Sequence, residues 1–113
     1  MRDEAYALDM VLAATEARDL CAGSTLEAFL ADRVLQLAVT HVVQAIAEAA
    51  SRTSEAFRAE HPSVPWRAIV GMKHRLVHDY SGTDFSLVWD VVQNHLPPLL
   101  AALSGMFPPD NEA

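Results

Sequence analysis

The sequence has few of the residues that mark disulfide scaffolds, secreted proteins and membrane proteins. A single cysteine, Cys21, excludes an intrachain disulfide and fits a reducing compartment. The first ten residues carry acids where a secretory signal needs a basic and then an apolar stretch. No uninterrupted apolar run approaches the ~18 residues of a membrane span. We therefore expect a cytoplasmic protein without a membrane partner.

Cations are also scarce. The chain has 8 Lys and Arg residues against 15 Asp and Glu residues, a net charge of -7 and a pI of about 5.0. A protein that binds nucleic acid by general attraction to phosphate is usually basic, so this class of binder is excluded. Any RNA binding must rely on a local basic patch, on a basic partner or on a dimer that joins two patches.

Apolar residues are abundant, at 51% of 113 residues, a length typical of one domain. A small domain has much surface to cover, and large exposed apolar patches usually mark interfaces. The composition therefore favours a chain that buries part of its apolar surface against a partner.

The apolar residues recur at helical spacing, and no strand pattern is longer than a few residues. The predicted helices cover residues 4–21, 25–51, 55–60, 66–78 and 85–103. The second helix has a possible break near residues 30–32, and the proline pair at 97–98 is expected to kink or restart the last one. The predicted fold is all-α, an up-and-down bundle of four to five helices. It fills residues 1–104, and residues 105–113 are predicted to form a frayed tail.

The fourth predicted helix, residues 66–78, contains a large share of the few cationic residues. Three of them are interleaved there with two histidines: Arg67, Lys73, His74, Arg75 and His78. Steps of seven and four residues place Arg67, His74 and His78 on one side of a helix, and Arg75 borders that stripe. Lys73 precedes His78 by five residues and lies off the stripe. One helix face of an acidic protein is therefore predicted to be basic.

Such a face suits phosphate. Guanidinium groups match phosphate oxygens in two-pronged fashion, and a histidine that titrates near neutral pH can move protons. The alternative is a solvated basic face at a helix C-terminus, where cations complement the helix dipole. The residues alone leave both interpretations open.

The order of several motifs resembles the HepT-like family, a branch of the HEPN superfamily. The segment VPWRAIVGMKHRLVHDY is similar to the family's Pro-Trp, Gly-Met-Arg-Asn and His-x-Tyr stretch. As in the family, an acidic residue near the last helix start, Val-Trp and Leu-Pro follow it. The segment IAEAA resembles a Gly-Glu-Ala stretch and places Glu48 at a commonly acidic position. The resemblance covers roughly nine-tenths of the chain.

This resemblance implies a homodimeric helical bundle in which the two motif helices share a cleft. It implies a metal-independent ribonuclease, with no cofactor, that is the toxin of a toxin–antitoxin pair. The implied partners are an RNA substrate and a minimal nucleotidyltransferase antitoxin that silences the toxin by adenylylating the motif tyrosine. Carried onto this sequence, His78 is the catalytic motif histidine. Tyr80 is the motif tyrosine, which positions the phosphate and is the site of modification.

The chain departs from the family motif at two positions. Lys73 stands where the family has Arg, and His74 stands where it often has Asn. Lysine keeps the charge but loses the two-pronged geometry at phosphate, so Arg75 is a possible substitute for the phosphate contact. We expect Arg67 and His74 to contribute to RNA binding. The Lys73 exchange and the acidic charge also favour, more than the family alone would suggest, a weakly active or inactive domain that serves as the partner of a nucleotidyltransferase. A generic helical interaction domain is the third interpretation.

Three other residues have structural interpretations. His41 lies mid-helix among apolar residues and is predicted to be a core or interface histidine. Trp66 and Trp89 are predicted to anchor the core or a dimer interface, because large aromatic side chains dominate both.

Overall fold

The structure, a computed structural model, describes residues 2–78 and 83–108, with the side chains of residues 76–78 excepted. Its long helices are α1, α3 and α5, its short ones α2, α4, α6 and α7, and a π-helical turn joins the last two. In chain order they are α1 (Arg2–Cys21), α2 (Leu26–Leu30), α3 (Arg33–Ser51), α4 (Glu55–Glu60), α5 (Trp66–His78), α6 (Phe85–Asp90), the π turn (Val91–His95) and α7 (Leu96–Leu103). No strand occurs in the described ranges, and the predicted all-α fold is confirmed.

Helix α3 is the centre of the fold. Its most extensive contact is with α1, its next is with α5, and α7 packs against α1. The buried face of α3 includes Val39, Val43 and Ile46. Ile69 and Met72 of α5 are also buried. The α1–α3–α5 layer therefore positions α5, the helix that carries the predicted site.

Side-chain caps set the helix starts. Thr25, Asp32, Ser54 and Asp84 each accept a hydrogen bond from the backbone N–H three residues on, which pairs an otherwise orphaned donor. The Asp32 cap explains the predicted break near residues 30–32, because it starts α3 separately from α2. Gly23, with a φ of 78°, occupies the left-handed conformation that ends α1.

The last helical segment changes its hydrogen bonding just before the proline pair. The π turn over Val91–His95 ends where α7 begins at Leu96, with proline in the first turn of α7. The predicted restart is therefore confirmed. A short 3₁₀ turn, Ser104–Met106, follows α7. Met106 and Phe107, from the segment predicted to fray, are half-buried against the core.

By length and composition alone, α3 is apolar enough to cross a membrane, and it is the one such helix in the described residues. This differs from the prediction that no run approaches that length. Polar residues recur along α3 at intervals of four residues or fewer, so they interrupt the apolar run without lowering its mean hydropathy much. The contacts of α3 with α1 and α5 are those of the central helix of a bundle, which passes the same compositional test.

A carboxylate joins the start of α1 to the start of α4. Asp3 Oδ1 accepts from the Ser54 backbone N–H at 2.8 Å, and Asp3 Oδ2 accepts from the Ser54 hydroxyl at 2.7 Å. These two hydrogen bonds hold the pKa of Asp3 below its ordinary value of 3.8. Because the folded pKa is depressed, the stabilisation is present above that ordinary value and is lost as pH falls through the folded pKa.

We therefore expect Asp3→Asn to lower the melting temperature by roughly a few degrees at pH 7, and by progressively less as the pH is lowered from 7 through the folded pKa of Asp3. Thermal unfolding followed by circular dichroism across this pH range measures the difference. Asp9→Asn, on the same helix and exposed, is the control. A melting difference that stays constant down to the lowest pH would contradict the role of the Asp3 carboxylate.

Candidate functional site on helix α5

The cationic residues predicted for the site lie on the solvent-facing sides of α5. Arg67, Lys73, His74 and Arg75 are exposed, whereas Ile69 and Met72 face the core. Pro65 immediately precedes α5 and the backbone N–H of Ile69 donates to its carbonyl, which fixes the first turn. The same helix thus presents an apolar side to α3 and a basic side to solvent.

The side chain of Lys73, which lies off the basic stripe, reaches towards α3. Its Nζ lies 2.9 Å from Glu48 Oε1. Glu48 Oε2 accepts at 2.7 Å from Nε of Arg52, the residue that caps the C-terminal end of α3. One carboxylate therefore binds two cations, one from each of two helices.

The hydrogen bonds of this cluster shift the pKa values of Glu48 and Arg52. The hydrogen bonds from Lys73 and then from Arg52 lower the pKa of Glu48, so the carboxyl is ionised at neutral pH. Glu48, and after it the Tyr6 hydroxyl on α1, raise the pKa of Arg52. The cluster of Lys73, Glu48 and Arg52 carries one net positive charge.

Glu48 and Ala45 lie between two open grooves. The groove between α3 and α5 has a volume of about 330 Å³ and is lined by His41, Gln44, Ala45, Glu48 and Lys73. The groove between α1 and α3 has a volume of about 480 Å³. Its walls include Tyr6, Asp9, Leu12, Glu16 and Arg52. The first groove is large enough for a small polar group, and among its described lining residues Lys73 supplies the positive charge.

An exposed apolar surface continues from these grooves along α3. We call it the α3 face: Val34, Leu37, His41 and Ala45, all exposed and spaced three, four and four residues apart. Val34 is 78% exposed and Leu37 is 53% exposed. The prediction of a core position for His41 is wrong, because its neighbours on this side of α3 are themselves uncovered. The interface interpretation of His41 stays a prediction.

The two residues expected to do the chemistry are only partly placed. His78 belongs to α5 by its backbone, and its side chain lies outside the described part of the chain. Tyr80 lies outside the described residues altogether. Arg52 and Gln44, which line the grooves, were not among the predicted site residues. The i, i+4 spacing of Glu48 and Arg52 on a helix could have indicated their pair.

Metal ligation has no support from the placed side chains. Within residues 2–75 and 83–108, no group of three or more His, Cys, Asp and Glu side chains is arranged to hold a metal ion. The chemistry of the described site is that of cations, one carboxylate and neutral polar groups.

Comparison with known proteins decides the family. The model of the family described as "Ribonuclease HepT-like" matches residues 10–106, from α1 to the end of the last helical turn. The chain belongs to the HepT-like ribonuclease family. The match spans the α5 segment on which the sequence resemblance rested.

Two curated relatives illustrate the HepT-like match. A Thermococcus cleftensis protein named "Probable ribonuclease HepT" is 32% identical over 99 residues, which cover 88% of this chain and 84% of the relative. A Caldanaerobacter subterraneus subsp. tengcongensis protein named "Putative RNase" is 34% identical over 77 residues, which cover 68% of this chain and 69% of the relative. No solved structure matches the chain.

Proposed function

We propose that this HepT-like chain is a metal-independent ribonuclease, working in the cytoplasm as the toxin of a toxin–antitoxin pair. The observation that carries the proposal is the family match across α5, the helix whose exposed sides bear Arg67, His74 and Arg75 on an otherwise acidic protein. A local basic face meets the requirement set by the net charge of -7, because it offers phosphate a binding surface that the whole chain does not.

The proposed reaction is transesterification. A ribose 2′-oxygen attacks the adjacent phosphorus and the bond to the leaving 5′-oxygen breaks, giving a 2′,3′-cyclic phosphate and a 5′-hydroxyl end. His78 takes the 2′-hydroxyl proton as general base or gives a proton to the 5′-oxygen as general acid. Two copies of His78 across a dimer cleft can divide these roles.

Cationic and hydroxyl side chains then hold the phosphate. Lys73, with Arg75 as its substitute, stabilises the charge that develops on the phosphoryl oxygens. Tyr80 positions the phosphate by hydrogen bonding. Arg67 and His74 contact the neighbouring phosphates of the strand.

The dimer is proposed to form through the α3 face. This surface is apolar and lies beside the Lys73 groove, so a second copy placed on it would bring the two α5 helices towards one cleft. Exposed apolar residues at this density mark interfaces in small domains. The acidic side chains of the neighbouring α1 groove, Asp9 and Glu16, would lie at the polar rim.

We expect Leu37→Glu to convert the dimer into a monomer, because a charge in the centre of an apolar interface loses its hydration without gaining a partner. Size-exclusion chromatography with light scattering should give twice the 12.3 kDa chain mass for the wild type and the single mass for the variant. Because Leu37 is 53% exposed in the single chain, the monomer should keep the helical content, by circular dichroism, of Ala59→Glu, a matched control on α4. A monomeric wild type at tens of micromolar would contradict the dimer.

The proposed antitoxin is a minimal nucleotidyltransferase that adenylylates Tyr80. A nucleotide added there would fill the cleft and place negative charge where the substrate phosphate must bind. A second function, a weakly active or inactive domain that serves as the binding partner of such a nucleotidyltransferase, is favoured by one observation. Lys73 is already paired with Glu48 in the described structure.

The two functions are separated by an assay of the purified chain on end-labelled single-stranded RNA in the presence of EDTA. An active ribonuclease yields fragments with 2′,3′-cyclic phosphate ends, and induced expression of the chain alone arrests growth. A chain that leaves the RNA intact and the cells growing, yet binds a minimal nucleotidyltransferase, would support the second function and contradict the first.

A further inference from the structure

The Glu48–Lys73 pair separates Lys73 from the other cations of α5. Lys73 is the only lysine of the chain, and it occupies the motif position next to the exposed His74. Its ammonium lies 2.9 Å from Glu48 Oε1, across the groove between α5 and α3. The charge that would meet a phosphate is therefore already compensated by a carboxylate of the same protein.

Arg52 keeps that carboxylate in place. It binds Glu48 Oε2 at 2.7 Å, so Glu48 is held from its own helix as well as from α5. If Lys73 moved away, Glu48 would stay paired with Arg52 and no isolated charge would result. The Lys73 side chain is the partner that can leave, because the Glu48–Arg52 pair lies within one helix and Lys73 reaches it from another.

The pair is also within reach of solvent. The Lys73 side chain is 45% exposed and that of Glu48 is 41% exposed. Exposed ion pairs contribute little to stability, since water and salt screen them. Charge-assisted hydrogen bonds to a phosphate are of at least comparable strength, so a phosphate entering the groove can compete with Glu48 for the ammonium.

We propose that Glu48 restrains Lys73, so that an RNA phosphate gains the Lys73 contact only by displacing the Glu48 carboxylate. This inference rests on the proposed function, because it assumes that the α5 surface binds an RNA strand. Glu48 is a positioning residue that acts through Lys73, and it holds the affinity of the chain for RNA below the value its cations would otherwise give. The lowered pKa of Glu48 keeps the restraint in force throughout the neutral range.

The first test measures binding to a fluorescent 2′-O-methyl RNA strand, which lacks the attacking hydroxyl and cannot be cleaved by transesterification. Glu48→Gln should bind about two- to fivefold more tightly than wild type at low salt, the range expected for loss of one exposed ion pair. The slope of log K against log salt should steepen by about 0.7, as one more phosphate contact forms. When Lys73→Gln is already present, adding Glu48→Gln should change neither the affinity nor the slope.

The matched control is Glu16→Gln. Glu16 lines the adjacent groove on α1, so this variant removes the same charge from nearby without touching Lys73. Equal tightening by Glu16→Gln, or tightening by Glu48→Gln that persists without Lys73, would overturn the proposal in favour of a general charge effect. Unchanged or weaker binding by Glu48→Gln would overturn it outright.

A second readout needs no RNA. Because Lys73 is the only lysine of the chain, peptide mass spectrometry can follow its acetylation by an N-hydroxysuccinimide ester separately from acetylation of the N-terminal amine. Glu48→Gln should accelerate it and Glu16→Gln should not, since an ammonium held by Glu48 must leave its partner before it reacts. Equal rates in all three proteins would overturn the restraint.

A different experimental outcome would contradict the proposed ribonuclease function. If the chain binds the methylated strand but cuts no unmodified RNA, the ribonuclease proposal is contradicted while the affinity ratio still decides the role of Glu48. If neither wild type nor Glu48→Gln binds any strand, both proposals are contradicted.

Discussion

Replacing His78 with alanine is expected to lower the rate of RNA cleavage by about 10²–10⁴-fold, the range that general acid–base catalysis contributes. The proposed reaction needs a group that removes a proton from the 2′-hydroxyl and one that protonates the leaving oxygen, and no carboxylate or metal is proposed to take over. Single-turnover cleavage of labelled RNA in EDTA measures the rate. Circular dichroism should show the same helical content as wild type.

His74→Ala is the matched control for that experiment. It removes the same side chain one turn earlier on α5, from an exposed position expected to contact a neighbouring phosphate. Its effect should fall mainly on RNA affinity and be recovered at high protein concentration. Cleavage by His78→Ala at the wild-type rate would show that another group, or another protein in the sample, carries the chemistry.

Phe29→Ala should lower the free energy of unfolding by about 3–5 kcal/mol, as expected when a fully buried aromatic side chain is truncated. Phe29 is 0% exposed, and its ring lies 5.3 Å from that of Trp89 and 6.4 Å from that of Phe85, centroid to centroid. The Phe29 carbonyl also accepts from the buried Gln36 side chain at 2.9 Å. The residue therefore fastens the short helix α2 to α6 and to the start of α3.

A loss of that size is a large share of the roughly 5–15 kcal/mol by which a domain is stable. Urea unfolding followed by tryptophan fluorescence measures it, because Trp89 packs on the affected ring. Leu30→Ala, on the same helix but 44% exposed, should cost less than half as much. Equal losses for the two variants would show that α2 contributes through its helical conformation and not through the Phe29 contacts.

The helices could be predicted from the sequence because their causes are local. Apolar spacing defines the buried sides of α3 and α5, and Asp32 and Pro65 mark starts that depend only on the residues around them. The restart before Pro97 is likewise a local effect of a residue without a backbone N–H. These features need no knowledge of which helices become neighbours.

The surroundings of Lys73 could not be predicted in that way. Its contact with Glu48 joins positions far apart in the sequence and depends on how α5 packs against α3. Helical periodicity predicted that Lys73 lies off the stripe of His74, but it could not predict which residue the Lys73 side chain contacts. His41 illustrates the same limit, since an apolar pattern predicts that a surface will be covered without saying whether the same chain covers it. The roles of His78 and Tyr80 stay predictions from the family motif.

Helix α3 has a different task on each of its sides. One side forms the core with Ile46, and the outward side carries Val34 and Leu37 and, further along the same row, Glu48, which holds Lys73. A substitution in α3 therefore affects folding, the contact with Lys73 or the proposed dimer surface, depending on where it falls. Few of its positions are free to drift over evolutionary time. The exposed residues of α4 have no comparable role. We therefore expect relatives of this chain to tolerate substitutions there more readily than in α3.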